Sequence, residues 1–249
     1  MKLNYTLTAL LASTIAANAA ITMTKDATAF DWIYDQSVDS SSQDLDTNST
    51  ADFFTGNAGE HPSISGGIAS FTNGDFYRGD FGGSLSRNNF FTAADSFTIE
   101  LNAQMLSTGA ASGSLGTMAI FWRASNGDTT IMYIDDAEVS VSDGGTVTTL
   151  STADNTDAFH DFRLAYDGVN GNFSVWRDGV LLDEEIDTVG TGTSSVGTFI
   201  GDTSGTGNNG DWDLNTMSIT SGAFAPVPEP SSTALLGLGG IALILRRRK

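Results

Sequence analysis

Three acidic side chains stand at alternating positions near the end of one short apolar run. On a β-strand Asp183, Glu185 and Asp187 would share one face, because successive strand side chains point to opposite faces. Retaining hydrolysis of a glycosidic bond needs two carboxyls about 5 Å apart, one of them protonated. Acids spaced along one strand do not supply that pair. A solvated face is the simpler interpretation, and no catalytic residue is predicted.

A second group of acids has the chemistry of a hard-cation site. Asp202, Asp211 and Asp213 flank two amides, Asn208 and Asn209. Carboxylate and amide oxygens are the ligands that Ca²⁺ prefers, although the spacing is not that of an EF-hand. We therefore predict a calcium site at these three aspartates, with plain solvated loop acids as the alternative. No other cofactor is predicted, since a chain with no cysteine and two histidines lacks the ligands of a zinc centre.

Aromatic side chains are the candidates for contact with a sugar, because a sugar ring stacks on an aromatic face while its hydroxyls bond to nearby polar groups. The candidate ligand residues are Trp122, Tyr133, Trp176 and Trp212. For each of them packing in the core is the competing and more frequent interpretation. His160 begins an apolar run without any nucleophile motif, so a structural role is predicted for it.

Short strands are the elements that must position these residues. Between residues 20 and 225 no long segment has helical periodicity, while alternating apolar runs recur between turn signals. The pairs Asn126-Gly127 and Asp178-Gly179 separate such runs and predict tight hairpins, because these residues tolerate the positive φ that hairpin turns require. Residues 35–50 and 190–210 are predicted to be loops, the second with one short strand at Phe199. The pattern favours an all-β sandwich or jelly roll.

Part of this pattern resembles a known family. The stretch His160–Gly168, followed by Phe173–Val180, is similar to the core hairpin of LamG-like, concanavalin A-like domains, with two Asp-Gly turns at that family's spacing. Phe199–Asp202 and Asp211–Leu214 resemble its closing strands and the loop before the last strand. The resemblance covers about residues 95–220. It implies an all-β, concanavalin A-like jelly-roll sandwich of two antiparallel sheets, one of them concave.

The same resemblance bears on activity. Families that share this fold include lectins, adhesins, glycan-binding modules and glycosidases. Some of those glycosidases carry an E-x-D-x-x-E strand whose last Glu is the acid/base. Here the corresponding stretch runs from Glu185 through Asp187 to Gly190, so the acid/base is missing. The resemblance therefore implies a domain that is not an enzyme, with a diverged glycoside hydrolase as the alternative.

Charge excludes one class of partner. The chain of 249 residues has a net charge of −19, and between Ala20 and Ala225 it has 29 acidic against 6 basic residues. Binding to nucleic acid requires Lys and Arg to neutralise phosphates, so no nucleic-acid partner is predicted. With 28 glycines and 40% hydrophobic residues, the chain has material for many turns and for one real core. Because it has no cysteine, that core must supply the stability without disulfides.

The beginning of the chain has the three parts of a secretory signal peptide. Lys2 provides the positive charge, an apolar run follows from Leu7 to Ala17, and the small residues Ala17 and Ala19 flank the expected cleavage point. The apolar run is too short to span a bilayer. We predict cleavage after Ala19 by signal peptidase.

The last residues resemble a second family. Val227, Pro228, Glu229 and Pro230 precede an apolar run, and a basic cluster ends the chain. That cluster is Arg246, Arg247, Arg248 and Lys249. The order is similar to the PEP-CTERM sorting signal of Gram-negative bacteria, which implies recognition by exosortase. The prolines favour an extended segment that a peptidase can bind, and the basic cluster keeps the far end of a short membrane helix cytoplasmic.

These observations predict four segments: a signal peptide (1–19), a LamG-like β-sandwich (20–222), a linker with the Pro-Glu-Pro motif (223–231), and an apolar helix with a basic tail (232–249). The expected protein is exported to the outer envelope, cell surface or matrix, with a transient or retained inner-membrane anchor. Its expected partners are signal peptidase, exosortase, the membrane before processing, and extracellular polysaccharide. Glycan binding or adhesion is the leading function, and a purely structural matrix role is a further alternative.

The sorting motif generates a first prediction. Replacing Pro228→Ala together with Glu229→Ala removes the carboxylate and one of the prolines that keep the segment extended. We therefore expect loss of C-terminal processing with the fold unchanged. Pulse-labelling in the native host measures the conversion of precursor to mature protein. Replacing Ser231→Ala is the matched control and leaves conversion unchanged. Normal conversion of the double variant would contradict exosortase recognition.

Overall fold

A computed structural model describes residues 21, 23–35, 54–55, 63–72, 76–80, 96–107, 118–123, 128–190, 197–201 and 210–228. Sixteen strands lie in these ranges. In chain order they are β1 (Trp32–Asp35), β2 (Phe54–Thr55), β3 (Ser63–Ser65), β4 (Ile68–Phe71), β5 (Phe76–Asp80), β6 (Phe97–Met105), β7 (Met118–Arg123), β8 (Asp128–Ile134), β9 (Val139–Asp143), β10 (Thr146–Ser151), β11 (His160–Asp167), β12 (Asn172–Arg177), β13 (Val180–Asp187), β14 (Val189–Gly190), β15 (Gly197–Gly201) and β16 (Trp212–Ser221).

The strands form two antiparallel sheets of eight. The first sheet has the order β13-β12-β11-β6-β16-β4-β3, with β1 also beside β16. The second sheet has the order β10-β9-β8-β7-β15-β5-β2, with β14 beside β8. Neighbours in space are often distant in sequence, which is the mark of a jelly roll. The prediction of an all-β jelly-roll sandwich of two antiparallel sheets is confirmed.

Alternation along the central strand β6 shows why these residues form a sheet with one buried face. Phe97, Ile99 and Leu101 point into the sandwich and are fully buried, while Glu100 and Asn102 lie on the outer face. A strand with this period can bury only one set of side chains, so its register is strongly specified. The predicted alternation of this segment is confirmed.

A β-bulge keeps the longest strand in register with the core. The pairing of β16 with β6 shifts between Leu214 and Thr216. One extra residue there lets Leu214 before the bulge and Met217 after it both point inward, and both are fully buried. Without the shift the second half of the strand would expose its apolar side chains.

Two of the hairpins were predicted from their turn residues. Asp178 and Gly179 have φ values of 50° and 74°, as a tight two-residue turn requires, and β12 and β13 pair on either side of them. The strands β7 and β8 also pair, with Met118 opposite Ile134. A hairpin between β9 and β10 was not predicted, although the pair Gly144-Gly145 marks its turn.

Aromatic rings join the two sheets in the core. Phe97 of the first sheet lies 4.2 Å from Trp122 of the second, measured between ring centroids. Within the first sheet the cross-strand partners Phe71 and Trp212 stack at 3.8 Å with nearly parallel planes. At the edge of the core the Tyr166 hydroxyl donates to Asp128 Oδ2 over 2.9 Å and so links β11 to β8.

A second, smaller apolar cluster lies on the outer face of the first sheet. Ile21 and Ala223, from opposite ends of the described chain, pack there against Trp176 and Ala165. The predicted boundary between domain and linker, at residue 222, therefore falls inside a packed segment. The predicted signal peptide and membrane helix lie outside the described residues. Within the part that the structure describes, no helix has the length and apolar character needed to cross a bilayer.

The ring contact between the sheets generates a second prediction. Replacing Trp122→Ala leaves a large cavity opposite Phe97, and we expect the free energy of unfolding to fall by about 3–5 kcal/mol. Urea unfolding followed by tryptophan fluorescence measures this loss. Replacing Val180→Ala, at a side chain that is 64% exposed, is the control and changes stability by less than about 0.5 kcal/mol. A loss below about 1 kcal/mol at Trp122 would contradict the packing described here.

Candidate functional site

The sorting motif begins where the described chain ends. Val227 is 48% exposed, and Pro228 after it is exposed as well. Glu229, Pro230 and the basic cluster lie outside the described residues, as do Ala17 and Ala19 of the predicted leader. The motif thus starts directly from a segment that is still packed on the sandwich.

The predicted calcium ligands are only partly described. Asp202 lies outside the described residues. Asp211 uses its backbone carbonyl to accept from Leu106 N at 2.8 Å. Asp213 lies on the outer face of the first sheet between Gln104 and Ser70, and its Oδ1 is enclosed without a hydrogen bond. Among the described residues no three His, Asp or Glu side chains form a cluster that could hold a metal, so the calcium site stays a prediction.

Two of the four candidate sugar-binding aromatics are core residues. Trp122 is 2% exposed and Trp212 is 1% exposed, and both rings lie between the sheets. Burial of this kind leaves no ring face for a ligand. Both positions therefore have the packing role that the sequence analysis weighed against ligand binding. Trp122 and Ile120 are two residues apart on β7, so both side chains point into the core.

The other two candidates lie on outer faces. Trp176 packs under Ile21 and Ala223 on the first sheet and is 4% exposed. Tyr133 lies on the outer face of the second sheet, directly opposite Ser140 on β9, and is 7% exposed. Burial raises the pKa of the Tyr133 hydroxyl above its ordinary value, so this group stays a neutral hydrogen-bonding hydroxyl.

Tyr133 is part of a surface that we call the outer patch. Its other members, inferred from the pairing of β7, β8 and β9, are Phe121, Ile131, Ser140 and Ser142. Phe121 and Ile131 are cross-strand partners and are only partly buried. Tyr133, Ser140 and Ser142 are 7%, 3% and 5% exposed, so the accessible part of the outer patch is chiefly Phe121 and Ile131.

The acids on the edge strand β13 face solvent. Asp183, Glu185 and Asp187 are exposed, while Ile186 between them points into the core at 3% exposed. The pairing with β12 shifts twice along this strand, and Glu185 has a φ of 57°. The bulges are local irregularities of an edge strand. Asp183, Glu185 and Asp187 therefore form the solvated acidic face that their alternating spacing predicted.

His160 is held in a polar network. Its Nδ1 lies 2.9 Å from Asp178 Oδ2 and its Nε2 lies 2.8 Å from Asp157 Oδ1. Arg177 contacts the same Asp178 oxygen at 3.0 Å and donates to Asn155 Oδ1, which belongs to a fully buried residue. These contacts join one hairpin turn to the loop before β11 and carry no nucleophile. They fit the structural role predicted for His160.

Sequence reasoning missed the residue that holds the two ends of the described chain together. Arg163 on β11 is 2% exposed and points to the outer face of the first sheet. Its Nε donates to Glu100 over 2.6 Å, and its Nη1 donates to the carbonyls of Lys25, at 2.9 Å, and Phe224, at 3.5 Å. Burial raises the pKa of Glu100, and the adjacent Arg163 charge opposes that shift. The available signal in the sequence was an arginine between the apolar residues Phe162 and Leu164.

Asp31 provides a second link between the two ends. It accepts from the Thr220 hydroxyl at 2.6 Å and from Ser221 N at 3.0 Å, while Lys25 Nζ donates to Thr220 at 2.7 Å. The hydrogen bonds from Thr220 and Ser221 hold the pKa of Asp31 below its ordinary value. An ionised Asp31 therefore favours the contact of residue 31 with Thr220 and Ser221.

One family model matches the chain. Residues 226–249 match the PEP-CTERM protein-sorting motif. The chain therefore carries the signal of an exported protein that exosortase processes. The match does not extend into the sandwich, for which the LamG-like resemblance stays a prediction. No curated protein sequence matches the chain.

Several solved structures are similar to the sandwich. A carbohydrate esterase from the Shiga toxin-encoding bacteriophage phi24B has a TM-score of 0.52 and 13% identity over 77% of this chain and 98% of its own. The carbohydrate recognition domain of Emp47p has a TM-score of 0.40 and 13% identity, over 77% and 96%. A sialidase has a TM-score of 0.45 and 8% identity over 69% of this chain, which spans only 17% of the sialidase. At 13% identity the likeness to the esterase shows a shared fold alone, and nothing is argued from the other two.

The Asp31 contacts generate a third prediction. A depressed carboxylate pKa contributes stability that is present above the ordinary pKa and is lost as pH falls through the folded value. We therefore expect the wild type to be more stable than Asp31→Asn at pH 7, by no more than about 1 kcal/mol because the side chain is 53% exposed. The difference disappears at acid pH.

Urea unfolding at pH 7 and at about pH 2, far below the ordinary carboxylate pKa of about 3.9, measures that difference. Asp183→Asn, at an exposed carboxylate on the opposite edge of the first sheet, is the matched control and shows no such pH-dependent gap. A gap that widens at acid pH would contradict the stabilising role of the Asp31 carboxylate.

Proposed function

We propose that this protein is an exosortase-sorted component of the cell envelope or extracellular matrix, and that its sandwich is a non-enzymatic module for glycan binding or adhesion. One observation carries the proposal. The sorting motif at residues 226–249 follows directly on a complete two-sheet jelly roll, so the sandwich is the cargo that sorting delivers. Extracellular polysaccharide is the ligand that we propose for a domain delivered to the cell surface or matrix.

The outer patch supports a glycan as the ligand. Tyr133 provides a hydroxyl beside Ser140 and Ser142, and Phe121 with Ile131 provides a partly exposed apolar strip next to them. A sugar ring packs its C–H face on such a strip while its hydroxyls bond to the polar groups. The carbohydrate recognition named for one structurally similar domain is in keeping with this idea but adds no weight at its TM-score.

Charge narrows the class of glycan. A chain with a net charge of −19 repels acidic polysaccharide unless cations lie between them. Neutral glycans are therefore the expected direct ligands, and acidic ones require a divalent cation. Asp211 and Asp213 are the described residues that we propose for Ca²⁺, because the Oδ1 of Asp213 has no hydrogen bond. Asp213 lies on the first sheet, so a cation there would bind acidic glycan at a place separate from the outer patch of the second sheet.

The proposed absence of enzyme activity rests on the exposed acids of β13. Asp183, Glu185 and Asp187 face solvent along one edge strand, and Gly190 provides no further carboxyl. Glycoside hydrolysis needs one carboxyl with a raised pKa opposite another across the scissile bond. Side chains along one exposed edge lack the enclosed environment that raises such a pKa.

The outer patch generates a fourth prediction. Replacing Tyr133→Phe removes one hydroxyl and keeps the ring, so we expect glycan affinity to fall by about tenfold, the value of one well-placed hydrogen bond. A glycan array followed by titration of the full mature protein, with Ca²⁺ and with chelator, measures this. Tyr166→Phe is the matched control, because its hydroxyl bonds to Asp128 inside the protein. That variant loses stability and keeps its glycan affinity.

The same samples are assayed for reducing sugar. Glycan binding without sugar release supports the proposal, and a requirement for Ca²⁺ supports the cation site as well. Sugar release that Glu185→Gln abolishes would overturn it in favour of a diverged hydrolase. Failure to bind any glycan in either condition would overturn it in favour of a purely structural matrix role.

A further inference from the structure

Two chain segments lie side by side on the outer face of the first sheet, and we call them together the clasp. The clasp consists of residues 21 and 23–31 from one end of the domain and residues 222–228 from the other. Thr24 and Ala225 form a parallel bridge. Ala225 N donates to Met23 O over 2.8 Å, and Lys25 N donates to Ala225 O over 3.2 Å. The segment before the sorting motif is held by these two backbone bonds and also by the chain at the start of β6, where Phe224 N donates to Thr98 Oγ1 over 2.9 Å and Gly222 N donates to Ser96 O over 2.7 Å.

Polar anchors fasten both segments to the same strands. The guanidinium of Arg163 donates to a carbonyl of each segment, at Lys25 and at Phe224. Lys25 Nζ also lies 5.3 Å from the Phe224 ring centroid, within cation–π range. Because one buried cation bonds to both carbonyls, loss of either segment leaves part of that cation unsatisfied. The two segments should consequently dock and release together.

The apolar contacts tie the clasp to leader removal. Ile21 is 5% exposed and packs on Trp176 and Ala223. It lies two residues after Ala19, the predicted cleavage point. A leader still in the membrane would hold Ile21 close to the bilayer, whereas a free end lets it settle on the sheet.

The clasp lies close to the motif that exosortase reads. Ala225 is hydrogen-bonded in the bridge, and Glu229 follows four residues later. Four extended residues span at most about 14 Å, which limits how far the motif can reach from a closed clasp. Release of residues 222–225 lengthens the free tether by about another 14 Å. A membrane-bound peptidase needs such reach to bind an extended stretch beside a folded domain.

We propose that the clasp controls the second processing step: closed, it withholds the Pro-Glu-Pro motif from exosortase, and its opening releases the motif for cleavage. The inference rests on the proposed sorting by exosortase. The segment after the leader is then a strap that regulates the other end of the protein. Its anchors are a few hydrogen bonds and a small apolar cluster, so it can open without unfolding the sandwich.

A reversible disulfide across the clasp, which we call the lock, gives the sharpest test. The chain has no cysteine, so replacing Thr24→Cys and Ala225→Cys introduces a single possible disulfide across a bridge of paired residues. Full-length precursor in membranes that contain exosortase is followed for C-terminal cleavage. We expect the oxidised lock to slow cleavage by about tenfold or more, and reduction to restore the wild-type rate. Each single cysteine variant is a control and keeps the wild-type rate in both conditions.

A variant that weakens the clasp is expected to have the opposite effect on the rate of cleavage. Asp31→Asn weakens the contacts to Thr220 and Ser221 and should speed cleavage by about two- to fivefold, in line with a loss of up to about 1 kcal/mol. Asp183→Asn is the matched control and leaves the rate unchanged. Equal rates for the oxidised and reduced lock, or slower cleavage of Asp31→Asn, would overturn the proposal.

Glu229→Ala separates the two proposals. If cleavage depends on Glu229 but not on the lock, the control by the clasp fails and sorting by exosortase stands. If the wild type is not cleaved, or Glu229→Ala is cleaved normally, sorting itself fails and the clasp proposal fails with it. Cleavage that depends on both Glu229 and the lock supports both.

Discussion

Phe97 and Trp122 approach to 4.2 Å across the interior of the sandwich, and the rest of the structure depends on this closure of one sheet on the other. In a chain without cysteine no disulfide replaces it, so the free energy of folding comes from burying the inner faces of both sheets. The central strands β6 and β16 form the base of that contact. Every outer surface, including the outer patch and the clasp, is displayed by strands whose other face is in this core.

The two outer faces have different uses in this arrangement. The outer patch of the second sheet presents hydroxyls and partly buried apolar groups. The first sheet uses its outer face to bind the chain itself, through Arg163, Trp176 and the residues of the clasp. A buried arginine is costly unless every donor finds a partner, and here the partners are Glu100 and backbone carbonyls from two distant segments. The residue that the sequence made least obvious thus donates to a carboxylate and to two backbone carbonyls.

Both ends of the domain meet at one place, and this arrangement bears on how an exported protein is processed. Ile21 follows the predicted leader, and Ala225 precedes the matched sorting motif, yet the bridge holds them on the same sheet. The domain is therefore connected to the matched sorting motif and to the predicted leader through one surface. The domain is strongly acidic, whereas residues 246–249 are all basic.

Sequence alone determined the fold class, the hairpin at Asp178-Gly179 and the sorting motif, because these are local patterns of alternation, turn residues and ordered short elements. Tertiary structure decided which aromatics are core and which lie outside. Trp122 and Trp176 both stand in alternating strands, and the direction each faces depends on which sheet covers it. It also decided the role of Arg163 and Asp31, whose partners lie up to 190 residues away in the chain. No local pattern encodes a contact between two segments that only the closed sandwich brings together.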